Sequence, residues 1–391
     1  MVSDYFVRET IEGMQHRAIF SKNHHIAFIC FSSSFGGLEL TTVRLARDLG
    51  QRNAESMIVV PPGSPLAGQA ARHGLHVEYL QPRLKYGDIL ASLRLARILK
   101  LRRVDIAVVM QSKDINVVAA AKLSYPALKI VFYQQMQSGV NKRDFLHTWM
   151  FKKLSLWLSL TARMKQEAVE HTRMPEELIK VVHLGRDTGL FDPRVHDQSS
   201  ARGRFGLPVE RPIVAVLGRL DPQKGQEEFL RAVPLVLKER SDAYFVIAGE
   251  ETEGEGGFRQ HLVDLTYRLG VGDHVRFLPF TDQVPQFMSA IDIFVLPSYA
   301  ETYGLVLIEA MAMEKAVIAT SAGGVPEIVE HGRTGLLIPP RDDKALADAM
   351  VMLLKNPDLR TSLSKQARAD VLERFDSSRC VDQLVASLDA L

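Results

Sequence analysis

The feature that most constrains the fold of this 391-residue chain is a regular alternation of short apolar runs with helical patterns. Most of the runs are continuously apolar, which is typical of strands buried on both faces of a parallel sheet. The β-α-β-α order occurs once in each half, so the sequence predicts an α/β protein with two doubly wound domains. The predicted strands are Ile26–Phe31, Ser56–Val60, Val77–Leu80, Ile106–Met110, Ile130–Tyr133 and Leu156–Leu160, then Ile213–Leu217, Tyr244–Ala248, Val275–Phe277, Ile293–Leu296, Ala316–Ala319 and Gly335–Ile338.

A polar stretch around Gly185–Pro208 separates the two series and predicts the domain boundary. We place the first domain at residues 1–190 and the second at 191–376, followed by a last helix at 377–391. Two domains agree with the usual domain length of roughly 150 residues. The segment Met1–Asn23 lacks the continuous apolar core of a signal peptide, so we expect a poorly ordered, partly helical lead-in.

The near-neutral net charge of +2 hides a strong asymmetry between the two halves. Residues 1–187 carry 26 Lys and Arg against 16 Asp and Glu, so the remainder of the chain is acidic. Such a basic half suggests contact with a phosphorylated substrate, an acidic membrane surface or nucleic acid, unless the two domains simply complement each other. No basic aromatic motif supports nucleic-acid binding, which is therefore disfavoured.

The composition is that of an ordinary soluble globular protein, with 46% hydrophobic and 24% charged residues. Cys30 and Cys380 have no neighbour at metal-ligand spacing, so we expect two buried thiols in a reducing cytosol. No apolar stretch approaches the roughly 20 residues of a membrane span.

The most informative segment is PSYAETYGLVLIEAMAME, residues 297–314, which follows a predicted buried strand. Its helix is apolar on almost every side and is therefore predicted to be buried. Glu309 would then need a strong partner, whereas Glu301 would lie in the loop before the helix. The free N–H groups at the helix start form an anion site, and the carboxylates can bind hydroxyls, as a sugar nucleotide requires. The alternative is a chance cap with Glu309 paired to a basic residue.

A second segment, GRLDPQKG at 218–225, joins a strand to a helix and carries two cations. Arg219 and Lys224 lie at the carboxyl edge of the predicted sheet, where open α/β sheets bind ligands. A guanidinium fork and an ammonium group both suit a diphosphate. In isolation, two solvated loop cations are the simpler interpretation.

A third segment contains the pair Gly36-Gly37 between the first strand and the first helix. Adjacent glycines let the backbone approach a ligand closely. The segment matches neither the GxGxxG fingerprint nor the GxxxxGK[ST] phosphate loop, and a plain tight turn is the simpler interpretation of this loop by itself.

Taken together, these segments resemble the retaining glycosyltransferases of the GT-B fold, glycosyltransferase family 4. The resemblance covers most of the chain and includes GRDTGLF at 185–191, TSAGGVPEIVEHG at 320–332 and TGLLIPP at 334–340. It implies two Rossmann-like domains facing a cleft, with the last helix crossing back to the first domain. It also implies transfer of a sugar from a nucleoside-diphosphate sugar to an acceptor hydroxyl with retention, in bacterial cell-surface polysaccharide, lipopolysaccharide or glycolipid synthesis.

The resemblance assigns roles to individual residues. Arg219 and Lys224 would hold the donor diphosphate and stabilise the leaving group. Glu309 would bind the ribose hydroxyls, and Glu301 would contact the donor sugar. The remaining expected donor contacts are Gly218, the backbone of Tyr303, Gly304, Leu305 and Val306, the glycines Gly36 and Gly37, and Pro279 with Phe280 near the base.

The implied chemistry needs no cofactor, and no metal is expected, because Arg219 and Lys224 take the place of a cation at the departing diphosphate. The sequence also contains no Asp-x-Asp motif at a strand end. The family retains configuration by same-face attack without a covalent enzyme intermediate, and no dedicated nucleophile contradicts this. The implied location is cytoplasmic, including the inner face of the membrane.

Departures from the family pattern concern the acceptor side and two turns. Relatives often carry His where this chain has Gln134-Gln135, and Gln cannot relay protons. Arg186 and Glu314 replace the usual Val and Gly, and we expect effects on local turns more than on chemistry. Acceptor contacts are assigned to Gln135, Gln137, Lys142 and Arg143, with a solvated loop as the alternative.

The basic half also contains an amphipathic helical pattern at residues 84–103. A helix of this kind either covers a sheet or lies on anionic lipid, in which case the acceptor could be lipid-linked.

Three other functions remain open: a sugar-nucleotide epimerase, a sugar-phosphate synthase or phosphorylase, and a non-catalytic glycan-binding protein.

Overall fold

The computed structural model of the protein describes residues 18–34, 36–137, 139–252 and 256–391. The predicted lead-in Met1–Asn23 lies largely outside these residues. The chain divides into two compact units. The first runs to His183 and also takes Ser378–Leu391, and the second is the continuous segment Leu184–Ser377.

The first unit is a parallel sheet with helices between its strands. In the described residues the strand order is β3-β2-β1-β4-β5-β6-β7, so the order reverses between β1 and β4. The elements are β1 His24–Ile29, α1 Gly37–Gly50, β2 Ala54–Val60, α2 Pro65–Arg72, β3 His76–Tyr79, α3 Ile89–Leu101, β4 Ile106–Val109, α4 Ile115–Ser124, β5 Lys129–Gln134, α5 Phe145–Phe151, β6 Leu156–Ser159, α6 Ala162–His171 and β7 Ile179–Val181.

The second unit repeats this arrangement with its own parallel sheet. Its order, again for the described strands, is β10-β9-β8-β11-β12-β13, with the reversal between β8 and β11. The elements are α7 Gln198–Phe205, β8 Ile213–Leu217, α8 Gln226–Glu239, β9 Tyr244–Ala248, α9 Phe258–Arg268, β10 Val275–Leu278, α10 Val284–Ala290, β11 Ile293–Leu296, α11 Leu305–Ala312, β12 Ala316–Thr320, β13 Leu336–Ile338, α12 Asp343–Lys355 and α13 Pro357–Arg374. The chain continues into α14 Ser377–Asp389, nearly all of which is part of the first unit.

The central strands owe their position to the continuous apolar runs of the sequence. In β4 and β8, for example, every side chain is buried, because helices cover both faces of each sheet. Each predicted strand is present with its ends shifted by no more than two residues. Two Rossmann-like α/β sheets are thereby confirmed. Cys30 and Cys380 are buried free thiols, as predicted.

The second unit begins a few residues before the predicted boundary at 190/191. Backbone hydrogen bonds join Arg186 N to Phe375 O at 2.9 Å and Ser377 N to Arg186 O at 2.9 Å, so this segment pairs with the end of α13. The last helix, α14, then belongs to the first unit. Asp382 on this helix accepts hydrogen bonds from buried Arg52 at 3.1 Å and from Ala18 N at 3.1 Å. Within the described residues, no helix combines the length and apolarity needed to cross a membrane.

Candidate active site

The segments singled out in the second half follow neighbouring strands of one sheet. GRLDPQKG follows β8, the Glu301 segment follows β11, and the segment around Gly323 follows β12. Because the carboxyl ends of parallel strands share one edge, the three loops lie side by side, next to the reversal between β8 and β11.

Gly225 brings the loop after β8 into close contact with the loop after β11. Its φ is +73°, and a Cβ atom at this position would lie 2.1 Å from the carbonyl oxygen of Pro297. The Tyr299 N–H donates to Gln223 O at 2.9 Å, which joins the same two loops. Only glycine fits this position, because an L side chain would collide with the Pro297 carbonyl.

This contact places Lys224 beside Glu301. The Lys224 Nζ atom lies 2.9 Å from Glu301 Oε2, and both side chains are only partly exposed. Lys224 ends a short 3-10 helix, Pro222–Lys224, whose start is capped by Asp221 through Gln223 N at 2.8 Å. Lys224, predicted to bind the donor diphosphate, and Glu301, predicted to contact the donor sugar, thus form one ion pair.

The third loop holds the backbone of Glu301 in place. Gly324 N donates to Glu301 O at 3.0 Å, and a Cβ atom on Gly323 would lie 1.8 Å from that same oxygen. The role of TSAGGVPEIVEHG is therefore to support the Glu301 loop, which its composition alone does not indicate.

The helix after Glu301 is buried, as predicted. Gly304 stands at its N-cap with φ +94°, and α11 begins at Leu305. The first N–H groups of an α-helix have no acceptor within the helix and carry partial positive charge, so the backbone at Leu305 and Val306 can bind an anion. Tyr303 is buried, and its hydroxyl donates to Leu184 O at 2.9 Å, which anchors the residue that precedes Gly304.

Glu309 is 9% exposed and has a strong basic partner, as its position in a buried helix requires. The Arg186 Nε donates to Glu309 Oε1 at 2.5 Å. Sequence reasoning assigned Arg186 an effect on the local turn and missed this contact. The second departure does act on a turn: Glu314 has φ +54° just after α11, where glycine is the usual residue.

Arg219 is oriented by its own loop. Its guanidinium donates to Asp221 Oδ2 at 2.7 Å and to Thr252 Oγ1 at 3.3 Å, and about half of the side chain is exposed. Buried Gln226 donates to Arg219 O at 2.8 Å, which fixes the loop after Gly218. The guanidinium remains accessible to a ligand.

Tyr299 stabilises the loop after β11, a role that the sequence did not reveal. Its hydroxyl donates to Glu228 Oε1 at 2.5 Å, and the Arg341 guanidinium lies over its ring at 4.6 Å. Burial, together with the hydrogen bond to Glu228, raises the pKa of the Tyr299 hydroxyl above its ordinary range. The phenol is therefore neutral at physiological pH and acts as a fixed donor.

The expected base contacts, Pro279 and Phe280, follow β10 on the same sheet. Phe280 is 67% exposed, and its N–H donates to Glu250 Oε1 at 3.3 Å. An exposed ring of this kind can stack on a nucleobase.

Gly36 and Gly37 belong to the first unit, at the start of α1. Gly36 is extended, and a Cβ atom on Gly37 would meet no atom of the described residues within 4 Å. None of the described residues therefore requires glycine at Gly37, and this backbone is open to a ligand on their side.

The carboxyl ends of β4 and β5 border a cavity of about 350 Å³ in the first unit. Gln111 Oε1 and Gln135 Nε2 line it and have no hydrogen-bond partner among the described residues. Gln134, in contrast, accepts from Trp157 Nε1 at 2.9 Å and Ser159 Oγ at 3.1 Å, which makes it structural.

Three of the four predicted acceptor contacts line this cavity: Gln135, Gln137 and Lys142. Desolvation lowers the pKa of the Lys142 ammonium from its ordinary value. Arg143 does not line the cavity, since its Nε donates to Thr172 O at 3.2 Å.

Comparison with known families and proteins adds to this geometry. The family model for "Glycosyl transferases group 1" matches residues 197–370, and the family model for "Glycosyltransferase Family 4" matches residues 35–190. An uncharacterised glycosyltransferase of Methanocaldococcus jannaschii is 30% identical over 62% of this chain and 61% of its own length. A D-inositol 3-phosphate glycosyltransferase of Streptomyces scabiei is 35% identical over 54% of this chain and 48% of its own length. The matched part thus spans about half to three-fifths of these relatives.

Among solved structures, HepE of Anabaena in complex with UDP has a TM-score of 0.83 and 23% identity over 94% of this chain and 100% of its own. The same protein has also been solved with UDP-glucose. This likeness shows the fold: two Rossmann-like domains of the GT-B class.

Proposed function

The chain belongs to the glycosyl transferases group 1, and on this premise we propose that it transfers a sugar from a nucleoside-diphosphate sugar to an acceptor hydroxyl with retention of anomeric configuration. The observation that carries the proposal is the Lys224–Glu301 ion pair, held at 2.9 Å beside the start of a buried helix. The ion pair supplies an ammonium group for a phosphate and a carboxylate for sugar hydroxyls. The helix start beside it adds backbone N–H donors.

The donor diphosphate is assigned to Lys224, Arg219 and the N-terminus of α11. Departure of the nucleoside diphosphate develops negative charge on the leaving oxygen, and preorganised donors stabilise that charge. Arg219 is suited to bidentate contact because Asp221 and Thr252 hold its fork in place while half of the side chain remains exposed.

The donor ribose is assigned to Glu309. A carboxylate accepts hydrogen bonds from two adjacent hydroxyls, and the Arg186 guanidinium fixes its orientation through Oε1. Phe280 supplies an exposed ring for the base. The HepE structures with UDP and UDP-glucose support a nucleotide-sugar donor of this kind.

The chemical step in this proposal is same-face attack by the acceptor hydroxyl. Lys224 and Arg219 stabilise the leaving diphosphate, which can take up the acceptor proton, so no protein nucleophile is required. A metal ion is not part of the proposal. We expect transfer to continue in EDTA, and a loss of activity that Mg²⁺ or Mn²⁺ restores would refute this part.

The proposed acceptor is a saccharide, a phosphorylated compound or a lipid-linked compound whose hydroxyls bind Gln111 and Gln135. The inferred setting is bacterial cell-surface polysaccharide, lipopolysaccharide or glycolipid synthesis at the cytoplasmic face of a membrane. Relatives named for D-inositol 3-phosphate support a polar, phosphorylated acceptor.

Peripheral contact with an anionic membrane is the remaining part of the proposal. Ile89 and Leu90 at the start of α3 are each 70% exposed, and Phe145 at the start of α5 is 87% exposed. The rings of Tyr86 and His147 lie 6.1 Å apart, which places the loop before α3 next to α5. We treat the exposed side chains at these two helix starts as one patch. Exposed apolar groups within a basic half favour an anionic lipid surface.

Ligand-induced stabilisation tests the donor assignment directly. Melting temperatures are measured with UDP-, GDP-, ADP- and dTDP-sugars for the wild type, K224Q and E309Q, with R231Q as an exposed control in the same unit. One nucleotide should raise the melting temperature of the wild type and R231Q, and this shift should fall sharply in both site variants. If no nucleotide stabilises the wild type, or if both site variants respond equally, the donor assignment is wrong.

A further inference from the structure

A second concavity, of about 260 Å³, lies in the first unit beside the cavity that Gln111 and Gln135 line. It is bordered by the segment after β1, the loop after β3 and the segment that joins β4 to α4. Lys113 lines both cavities, so they are neighbours around this residue.

The lining of this concavity is strongly cationic. Arg83, Lys85 and Lys113 line it, and none of them forms a salt bridge with a described residue. Three cations without a salt bridge around one concavity attract an anion, and both guanidinium and ammonium groups bind phosphate.

The backbone that carries these cations is fixed. Asp88, the N-cap of α3, accepts from Arg83 N at 2.7 Å and from Leu84 N at 3.3 Å, which holds the loop after β3. On the opposite wall the Asn116 amide donates to Lys113 O. The site therefore has defined walls that carry exposed cationic side chains.

The wall contains one carboxylate, Asp114, which is 3% exposed and already engaged. It accepts from Phe31 N at 2.9 Å. Burial raises the pKa of Asp114 to about 7, so its negative charge is incomplete at neutral pH. Asp88 interacts with Arg83 and offsets part of that charge, whereas Lys85 and Lys113 form no salt bridge with a described residue.

We propose that this concavity binds the phosphate group of a phosphorylated acceptor, with Arg83 as the bidentate donor and Lys85 and Lys113 as point charges. The proposal rests on the proposed function, because it specifies the acceptor that the transferase uses. The hydroxyl-bearing part of the acceptor then lies in the adjacent cavity with Gln111 and Gln135, whose unpartnered amide atoms suit hydroxyl groups.

The test compares the wild type with R83Q/K85Q, K113Q and the control R173Q/K180Q. Lys180 lies in β7 at the opposite edge of the same sheet, and Arg173 precedes that strand, so the control removes equal charge away from the concavity. Inorganic phosphate is titrated calorimetrically with UDP present, so that the donor site is occupied. Binding should weaken on the order of tenfold or more in R83Q/K85Q and in K113Q, and by less than about twofold in the control.

Two further arms distinguish the source of the phosphate. Soluble glucose 6-phosphate and sn-glycerol 3-phosphate are compared with phosphatidylcholine vesicles that contain phosphatidic acid. Binding that depends on Arg83 and Lys85 supports the proposal in either arm, and assigns a soluble or a lipid-borne acceptor accordingly.

The proposal is overturned if inorganic phosphate does not bind, or if it binds all four proteins equally. The UDP affinity of each variant is measured separately. A wild type that binds phosphate but not UDP would refute the donor assignment alone, whereas the reverse result would refute the phosphate site alone.

Discussion

Replacing Arg186 by valine removes the partner of the most buried carboxylate in the candidate site. The Arg186 Nε lies 2.5 Å from Glu309 Oε1, and the two side chains are 22% and 11% exposed. A surface ion pair contributes about 0–1 kcal/mol, whereas breaking a fully buried pair costs about 3–5 kcal/mol. This pair lies between those limits, so we expect R186V to lower the free energy of unfolding by about 2 kcal/mol.

Thermal unfolding followed by circular dichroism measures this effect. For a unit of this size, 1 kcal/mol corresponds to a shift of roughly 2–4 °C, so the melting temperature should fall by roughly 4–8 °C. The matched control is R231V, which removes an exposed i,i+4 partner of Glu227 at 3.4 Å and should cost about 0.5 kcal/mol or less.

A double-mutant cycle separates the ion pair from other losses. In the E309Q background, R186V should cost at least about 1 kcal/mol less than in the wild type, because the carboxylate is no longer charged. A loss for R186V no larger than that for R231V, or one unchanged by E309Q, would refute the reasoning.

Three further changes probe other features. Glu314 has φ +54°, so E314G should raise stability by about 0.5–1 kcal/mol, while E373G inside α13 should lower it, and a destabilised E314G would contradict the strain argument. For Asp114 the folded pKa is about 7 and the unfolded value is 3.8, so rising pH removes stability between about pH 4 and 7, by roughly 4 kcal/mol. Urea unfolding should therefore find D114N more stable than the wild type at pH 8 but not at pH 4, and parallel pH profiles would count against a buried acid. F145S should reduce co-sedimentation with phosphatidylglycerol vesicles by roughly tenfold relative to Y267S, and equal sedimentation of the two variants would exclude the patch as a lipid contact.

The strands were predictable because a strand that is buried on both faces consists of consecutive apolar residues. The exception is β7, whose three residues Ile179–Val181 lie at the sheet edge with Lys180 exposed. Such a short edge strand has one interior face and no continuous apolar run, so pattern alone does not reveal it.

The residue types of the site were predictable, but their pairing was not. Lys224 and Glu301 are 77 positions apart, and Arg186 and Glu309 are 123 apart. Their contacts depend on which strands are neighbours in the sheet and on close glycine contacts between loops. A linear pattern therefore identifies candidate donors and acceptors, while the tertiary fold decides which of them neutralise each other.

The helix α14 has a consequence for synthesis of the chain on the ribosome. Arg52, only 3% exposed, has Asp382 as its carboxylate partner, and that residue is translated 330 positions later. The second unit is continuous and can complete its fold as it emerges, whereas the first unit must wait for α14. At about 5–20 residues per second, its Arg52 guanidinium remains without this partner for roughly 15–70 s. The unit that is translated first is thus the last to be finished.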